Sequence, residues 1–197
     1  MSHQPIVLLF TGHLIDSADR QEGRFPFELL DDIQKYLKAE IDDVTRIYIP
    51  KIAVSSLAAG GDMIFAQEML DRKIPLTVFL PFEIEKFLDF SVTYVKGISL
   101  EEPGQWARRF HMIIQQAQDI IITGKSNDPP EEAFALCNAK MLSHALSMAG
   151  HDPLKILALA LIKSDDEVRT GGTAEFVRLI QKQNILIKRL WPRTSMN

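Results

Sequence analysis

Short, almost uninterrupted apolar runs alternate with amphipathic helical patterns along the whole chain, and this alternation restricts the fold more than any other feature. The runs lie at residues 6–11, 51–55, 76–80, 119–123, 154–162 and 184–191. Between them, Phe27, Leu30, Ile33, Leu37 and Ile41 recur at helical spacing, so residues 27–42 are expected to form a helix opened by Pro26. Helices are also expected over 63–72, 104–117, 131–149 and 174–183. Residues 47–49 are a further strand-like stretch. A strand that is apolar at nearly every position is covered on both faces, which is the habit of parallel sheets. The expected fold class is α/β: a doubly wound, mostly parallel Rossmann-like sheet with helices on both faces, in a single domain over residues 1–197. The least regular stretches are 83–103, taken as a lid or helical excursion, and 124–130 and 163–170, taken as loops.

In such a sheet, ligands bind beyond the carboxyl ends of the strands. The richest sequence there is Gly171-Gly172-Thr173-Ala174-Glu175, at the passage from the 154–162 run into the last helix. The first N–H groups of a helix lack internal partners, and the helix dipole favours an anion beside them. The alternative reading is a plain turn with Thr173 as N-cap. A second strand-to-helix passage, Ala58-Ala59-Gly60-Gly61-Asp62, invites the same two readings, with Asp62 as N-cap or as partner of a ribose hydroxyl. Gly12 and His13 follow the first run: Gly12 permits a tight turn, and His13 is either a ligand donor or a loop tether. Arg24 could grip a phosphate, and Phe82 either packs on the lid or stacks on a base. Arg108 and Arg109 read as a solvated helix face, and the acidic trio Asp165, Asp166 and Glu167 as a solvated loop, the alternative being acids that orient a ribose or hold Mg²⁺.

Other chemistries are not supported. A net charge of −4 argues against a general nucleic-acid surface. The one cysteine, Cys137, falls on an apolar helical face and reads as core in a reducing compartment. The five histidines lack metal-ligand spacing, and neither a Gly-x-Ser-x-Gly elbow nor a lysine following a glycine loop is present. The opening apolar run is too short for a membrane span and lacks a basic leader, so the expectation is a cytoplasmic protein.

Taken in order, Thr11-Gly12-His13, the segment 55–62 ending in Ala59-Gly60-Gly61-Asp62, Leu80-Pro81-Phe82 and Gly171-Gly172-Thr173 resemble the SLOG superfamily of Rossmann-like nucleotide-binding domains. The likeness covers nearly the whole chain and is nearest to bacterial domains with a TGH start, an AxGGD second loop and a GGTA phosphate loop. It implies a pocket for a nucleotide or nucleotide derivative, such as an ADP-ribose-like ligand, with no other cofactor. Enzymatic members of the LOG type carry a PGGxGTxxE motif that joins phosphate binding to an acidic residue at the ribose. Here no proline precedes Gly171, the x-Gly pair before the threonine is missing, and Glu175 stands two residues after Thr173 rather than three. That shift turns Glu175 by about 100° around the helix. Three functions follow: a nucleotide-derivative sensor, an N-glycosidase or phosphoribohydrolase with Glu175 as its candidate catalytic group, and a ligand-free interaction module. The displaced Glu175 favours the first over the second. The glycines favour a ligand over none. A homodimer and coupling to effector proteins stay open; a membrane partner is not expected.

Overall fold

The computed structural model describes residues 4–17, 23–93, 104–163 and 171–192. Six strands form one all-parallel sheet: β1 (Gln4–Gly12), β2 (Tyr48–Ser55), β3 (Leu76–Leu80), β4 (Asp119–Ile122), β5 (Ile156–Leu161) and β6 (Leu186–Leu190). Their order across the sheet is β4-β3-β2-β1-β5-β6. The helices are α1 (Leu30–Ile47), α2 (Gly61–Asp71), α3 (Ile84–Ser91), α4 (Gln105–Gln116), α5 (Pro130–Met148) and α6 (Thr173–Gln181). The chain steps outward from β1 to β4 and returns through α5 to β5, on the other side of β1. The order therefore reverses between β1 and β5, which makes that crevice the topological switch point.

The strand residues alternate between two cores. Leu8, Phe10, Ala53, Val78 and Leu159 pack toward α1, α2 and α4, while Val7, Leu9, Val54 and Phe79 pack toward α5 and α6. The period of two puts each set on one face of a sheet buried on both sides. Apolar surface buried on two faces is the main driving force for the fold. Among the described residues, no helix is long and apolar enough to cross a membrane.

Most boundaries shift by a few residues from the expected ones, and three of the differences have a local reason. Ile47 ends α1, and residues 48–50 join the 51–55 run in one strand, β2, continuous through Pro50. Proline cannot donate to the ladder, and the register against β1 shifts between Ile6 and Val7, opposite Pro50. Residues 154–155 do not join β5. The Asp152 carboxylate accepts the Leu154 N–H at 3.0 Å and caps a short 3-10 turn, Pro153–Lys155, which leaves Leu154 78% exposed. The expected excursion at 83–103 contains α3, and its remainder, 94–103, lies outside the described residues.

Candidate functional site

The strand-end loops meet at the switch point through backbone hydrogen bonds. His13 N–H donates to the Leu161 carbonyl at 3.1 Å, which joins the tips of β1 and β5. Gly61 N–H donates to the His13 carbonyl at 3.0 Å, and Ile15 N–H to the Ala59 carbonyl at 2.9 Å, so the β2–α2 loop lies directly against the β1 loop. The Thr173 hydroxyl donates to the Gly12 carbonyl at 3.1 Å, drawing the first turn of α6 onto the tip of β1. Gly12, His13, Ala59, Gly60, Gly61, Asp62, Gly172 and Thr173 thus gather at one end of the sheet. Arg24 reaches the same edge. Its neighbour Gly23 accepts from the Lys163 ammonium at 3.2 Å, and Phe25 exchanges backbone and carboxylate hydrogen bonds with Asp16.

Asp62 is not the N-cap of α2. Gly60 holds that position, and Asp62 is the second residue of the helix. Its buried carboxylate turns back and accepts the Gly12 N–H at 3.1 Å and the Ala58 N–H at 3.3 Å. It clamps the β1 tip to the β2 loop. Burial pushes its pKa up to about 7, against the opposing pull of the two N–H donors. Thr173 is likewise not an N-cap: Gly172 is, and Thr173 begins the helix with its hydroxyl directed at β1. A chain of contacts therefore runs from Ala58 through Asp62, Gly12 and Thr173 into α6.

The close approaches that the loop glycines permit are to the protein's own backbone. A Cβ on Gly60, whose φ is +119°, would stand 2.6 Å from the Ile15 nitrogen and 2.8 Å from the His13 oxygen. One on Gly12 would stand 3.0 Å from the Gly61 Cα. Internal packing by itself requires a glycine at these positions. His13 is 2% exposed, with Nε2 accepting the Lys163 N–H at 3.3 Å and its ring edge-on to Trp191, the arrangement of a loop tether. Phe82 is fully buried between Phe90 and Phe134, with the Lys86 ammonium 4.0 Å from its ring centroid; it packs on α3 and has no free face for a base. The same lysine and Glu83 both bond Ser126, which pins the β4–α5 loop to α3.

The start of α6, like those of α3, α4 and α5, keeps the open N–H groups of a helix N-terminus, and it is the one drawn onto the tip of β1 by the Thr173 hydroxyl. Among the described residues, the N–H groups of Gly172, Thr173 and Ala174 have no hydrogen-bond partner; the first backbone donor from this turn with one inside the helix is Phe176 N–H, to the Gly172 carbonyl. Glu175 reaches back along its own helix and accepts the N–H of Gly171, the residue before the N-cap, at 2.5 Å; this is one residue beyond the donor that a capping box uses. Gly171 itself, at φ +75°, sits on the first turn of α5: a Cβ there would meet that of Phe134 at 2.6 Å. Asn138 of α5 donates to the Gly171 carbonyl at 3.1 Å. Nothing in the sequence marked Asn138, one of several polar residues on α5. The acidic trio 165–167 lies outside the described residues. Among the described residues, no cluster of three or more histidine, cysteine or acidic side chains could hold a metal ion.

An open groove of about 510 Å³ lies at the opposite, amino edge of the sheet, lined by Ile6, Tyr48, Leu154, Ile156, Asn184 and Leu186 among others. It contains neither a charged side chain nor a helix N-terminus, so it offers nothing to a phosphate. No protein-family model matches the chain, and no curated protein is similar to it.

Proposed function

We propose that the chain binds a phosphorylated nucleotide derivative, ADP-ribose-like in chemistry, at the start of α6 in the β1–β5 crevice, and acts as a sensor with little or no turnover. The observation that carries this reading is the set of unpartnered N–H groups at Gly172, Thr173 and Ala174, at the switch point of a doubly wound sheet. Donors of this kind bind phosphate without a lysine. Lys163, which joins the β1 loop through His13 and Gly23, brings a positive charge to the same edge. The resemblance of the four rim motifs to SLOG domains points to the same ligand class. The Glu175 carboxylate is committed to the Gly171 N–H, which weighs against its acting as the catalytic group of an N-glycosidase.

Calorimetry with AMP and ADP-ribose, together with product analysis, tests the reading. Gly172 has φ −85° and ψ 170°, a conformation that valine adopts freely, so Gly172→Val alters the approach to the N–H groups without straining the backbone. Binding by the parent protein that is lost in Gly172→Val is expected. Saturating ligand at 100 times its Kd should stabilise the fold by about 2.7 kcal/mol. Unchanged affinity in Gly172→Val would remove the site from α6. Rapid turnover that disappears in Glu175→Gln would replace the sensor with a hydrolase. No binding at all would favour the ligand-free interaction module, to which the tight internal packing of Gly12 and Gly60 is equally suited.

A further inference from the structure

The two edges of the sheet are built differently. The β6 edge, Leu186–Leu190, carries Lys188 and Arg189, with Lys188 ion-paired to Glu40 of α1. Charged side chains of this kind discourage pairing with another chain. The β4 edge is Asp119-Ile120-Ile121-Ile122, followed by Thr123. It pairs with β3 on one side, and among the described residues no strand pairs with the other. Ile120 and Ile122, on the same face of the strand, are 37% and 45% exposed. The edge is short and carries one charge, Asp119, but it has no lysine or proline, and its unpaired N–H and C=O groups beside exposed isoleucines can accept another strand.

We propose that β4 is a homodimer seam, in which its free edge pairs antiparallel with β4 of a second copy across a twofold axis at Ile121. A second copy fits this edge on three grounds. It supplies an extended segment of the same length with the same apolar pattern. In the register centred on Ile121, Ile120 stands opposite Ile122 of the partner subunit, and Asp119 opposite Thr123 of the partner subunit. The one charge on the strand then meets a hydroxyl instead of a second carboxylate, whereas like charges directly opposite each other are destabilising. Finally, the pairing closes on itself. The joined sheet ends on both sides in the charged β6 edge, so association stops at two copies. This inference does not depend on the nucleotide site.

Sedimentation velocity of the full chain over a concentration series should show a monomer–dimer equilibrium. The double substitution Ile120→Lys/Ile122→Lys places lysines opposite lysines and should weaken the dimer by more than about tenfold, a shift of roughly 1.4 kcal/mol, with the far-UV circular dichroism unchanged. Mixing it with Ile120→Glu/Ile122→Glu should restore association, because each lysine then faces a glutamate. Ile121→Cys should crosslink to itself under mild oxidation, since only this residue lies on the axis. A parent protein that is monomeric at every concentration overturns the proposal, as does a dimer indifferent to the lysine substitutions. Should the lysine variant fail to fold, the Ile121→Cys crosslink decides: its formation supports the seam, and its absence refutes it.

Discussion

Gly60→Ala separates a glycine kept for packing from one kept for a ligand. At φ +119° and ψ −130°, Gly60 occupies a conformation that an L side chain rarely adopts, which costs about 1–2 kcal/mol. The new methyl would lie 2.6 Å from the Ile15 nitrogen, 2.8 Å from the His13 oxygen and 3.1 Å from the Leu14 carbonyl carbon. All three are backbone atoms, so no rotamer change relieves the contact, and overpacking adds about 1–3 kcal/mol. Pushing the loops apart also weakens the Gly61–His13 and Ile15–Ala59 hydrogen bonds, each worth about 1 kcal/mol. The total falls near 4 kcal/mol. For a domain of this size that lowers Tm by about 8–16 °C. Gly150→Ala is the control: φ there is +65°, but nothing lies within 4 Å of the added methyl, so only the backbone strain of about 1–2 kcal/mol remains. Thermal and urea unfolding of both variants without ligand measures the difference. A Gly60→Ala variant no less stable than Gly150→Ala would show that the loops yield, and that the glycine serves something other than internal packing.

Asp62 gives a pH signature. Its folded pKa of about 7 exceeds the ordinary 3.8, so between these values the folded state holds a proton that the unfolded chain has released. Its stabilising contribution is complete below about pH 4 and is lost as the pH rises to 7; urea unfolding of the parent minus Asp62→Asn should therefore fall by a few kcal/mol over that window, and a flat difference would refute the assignment. Glu175→Ala removes the bond to the Gly171 N–H and should cost about 0.5–2 kcal/mol in the same assay, whereas Glu175→Gln, which keeps an acceptor there, should cost less; equal losses in the two would contradict the role of that bond.

The sheet was legible because a parallel strand buried on both faces has to be apolar at every position, and such runs are rare elsewhere. Residues 76–80 match β3 to the residue, and Ile33, Leu37 and Ile41 lie on the buried face of α1, although Phe27 lies in a 3-10 turn before the helix and α1 runs on to Ile47. The boundaries depended on single side-chain contacts that periodicity does not register. The Asp152 cap detaches Leu154 from β5, and Pro50 sits inside β2 because the register against β1 slips there. The strand order follows from the direction of each crossover, which local pattern does not encode. The same holds for the exposed β4 edge: its residues read like those of a buried strand, and only the topology shows that it has one neighbour.

At the rim, the sequence brought the right segments together but gave too much of their chemistry to a ligand. Glycine marks a place where something approaches the backbone closely, and it does not say what. For Gly12, Gly60 and Gly61 the approaching group is the neighbouring loop, and for Gly171 it is the first turn of α5. Asp62 and Glu175 read from sequence as a cap and a candidate catalytic acid. Both instead spend their carboxylates on backbone N–H groups that the loops would otherwise leave unsatisfied, at Gly12, Ala58 and Gly171. These assignments account for the Asp62, Thr173 and Glu175 side chains and for the N–H groups of Gly12, Ala58, Gly61 and Gly171. They also sharpen the case for a ligand. When the internal partners have been assigned, the N–H groups of Gly172, Thr173 and Ala174 still lack one among the described residues, and they lie where the strand order reverses. A glycine-rich loop is explained without a ligand; open donors at a helix start are satisfied by water or by an anion, and only the binding measurements on the parent protein and Gly172→Val decide between the two.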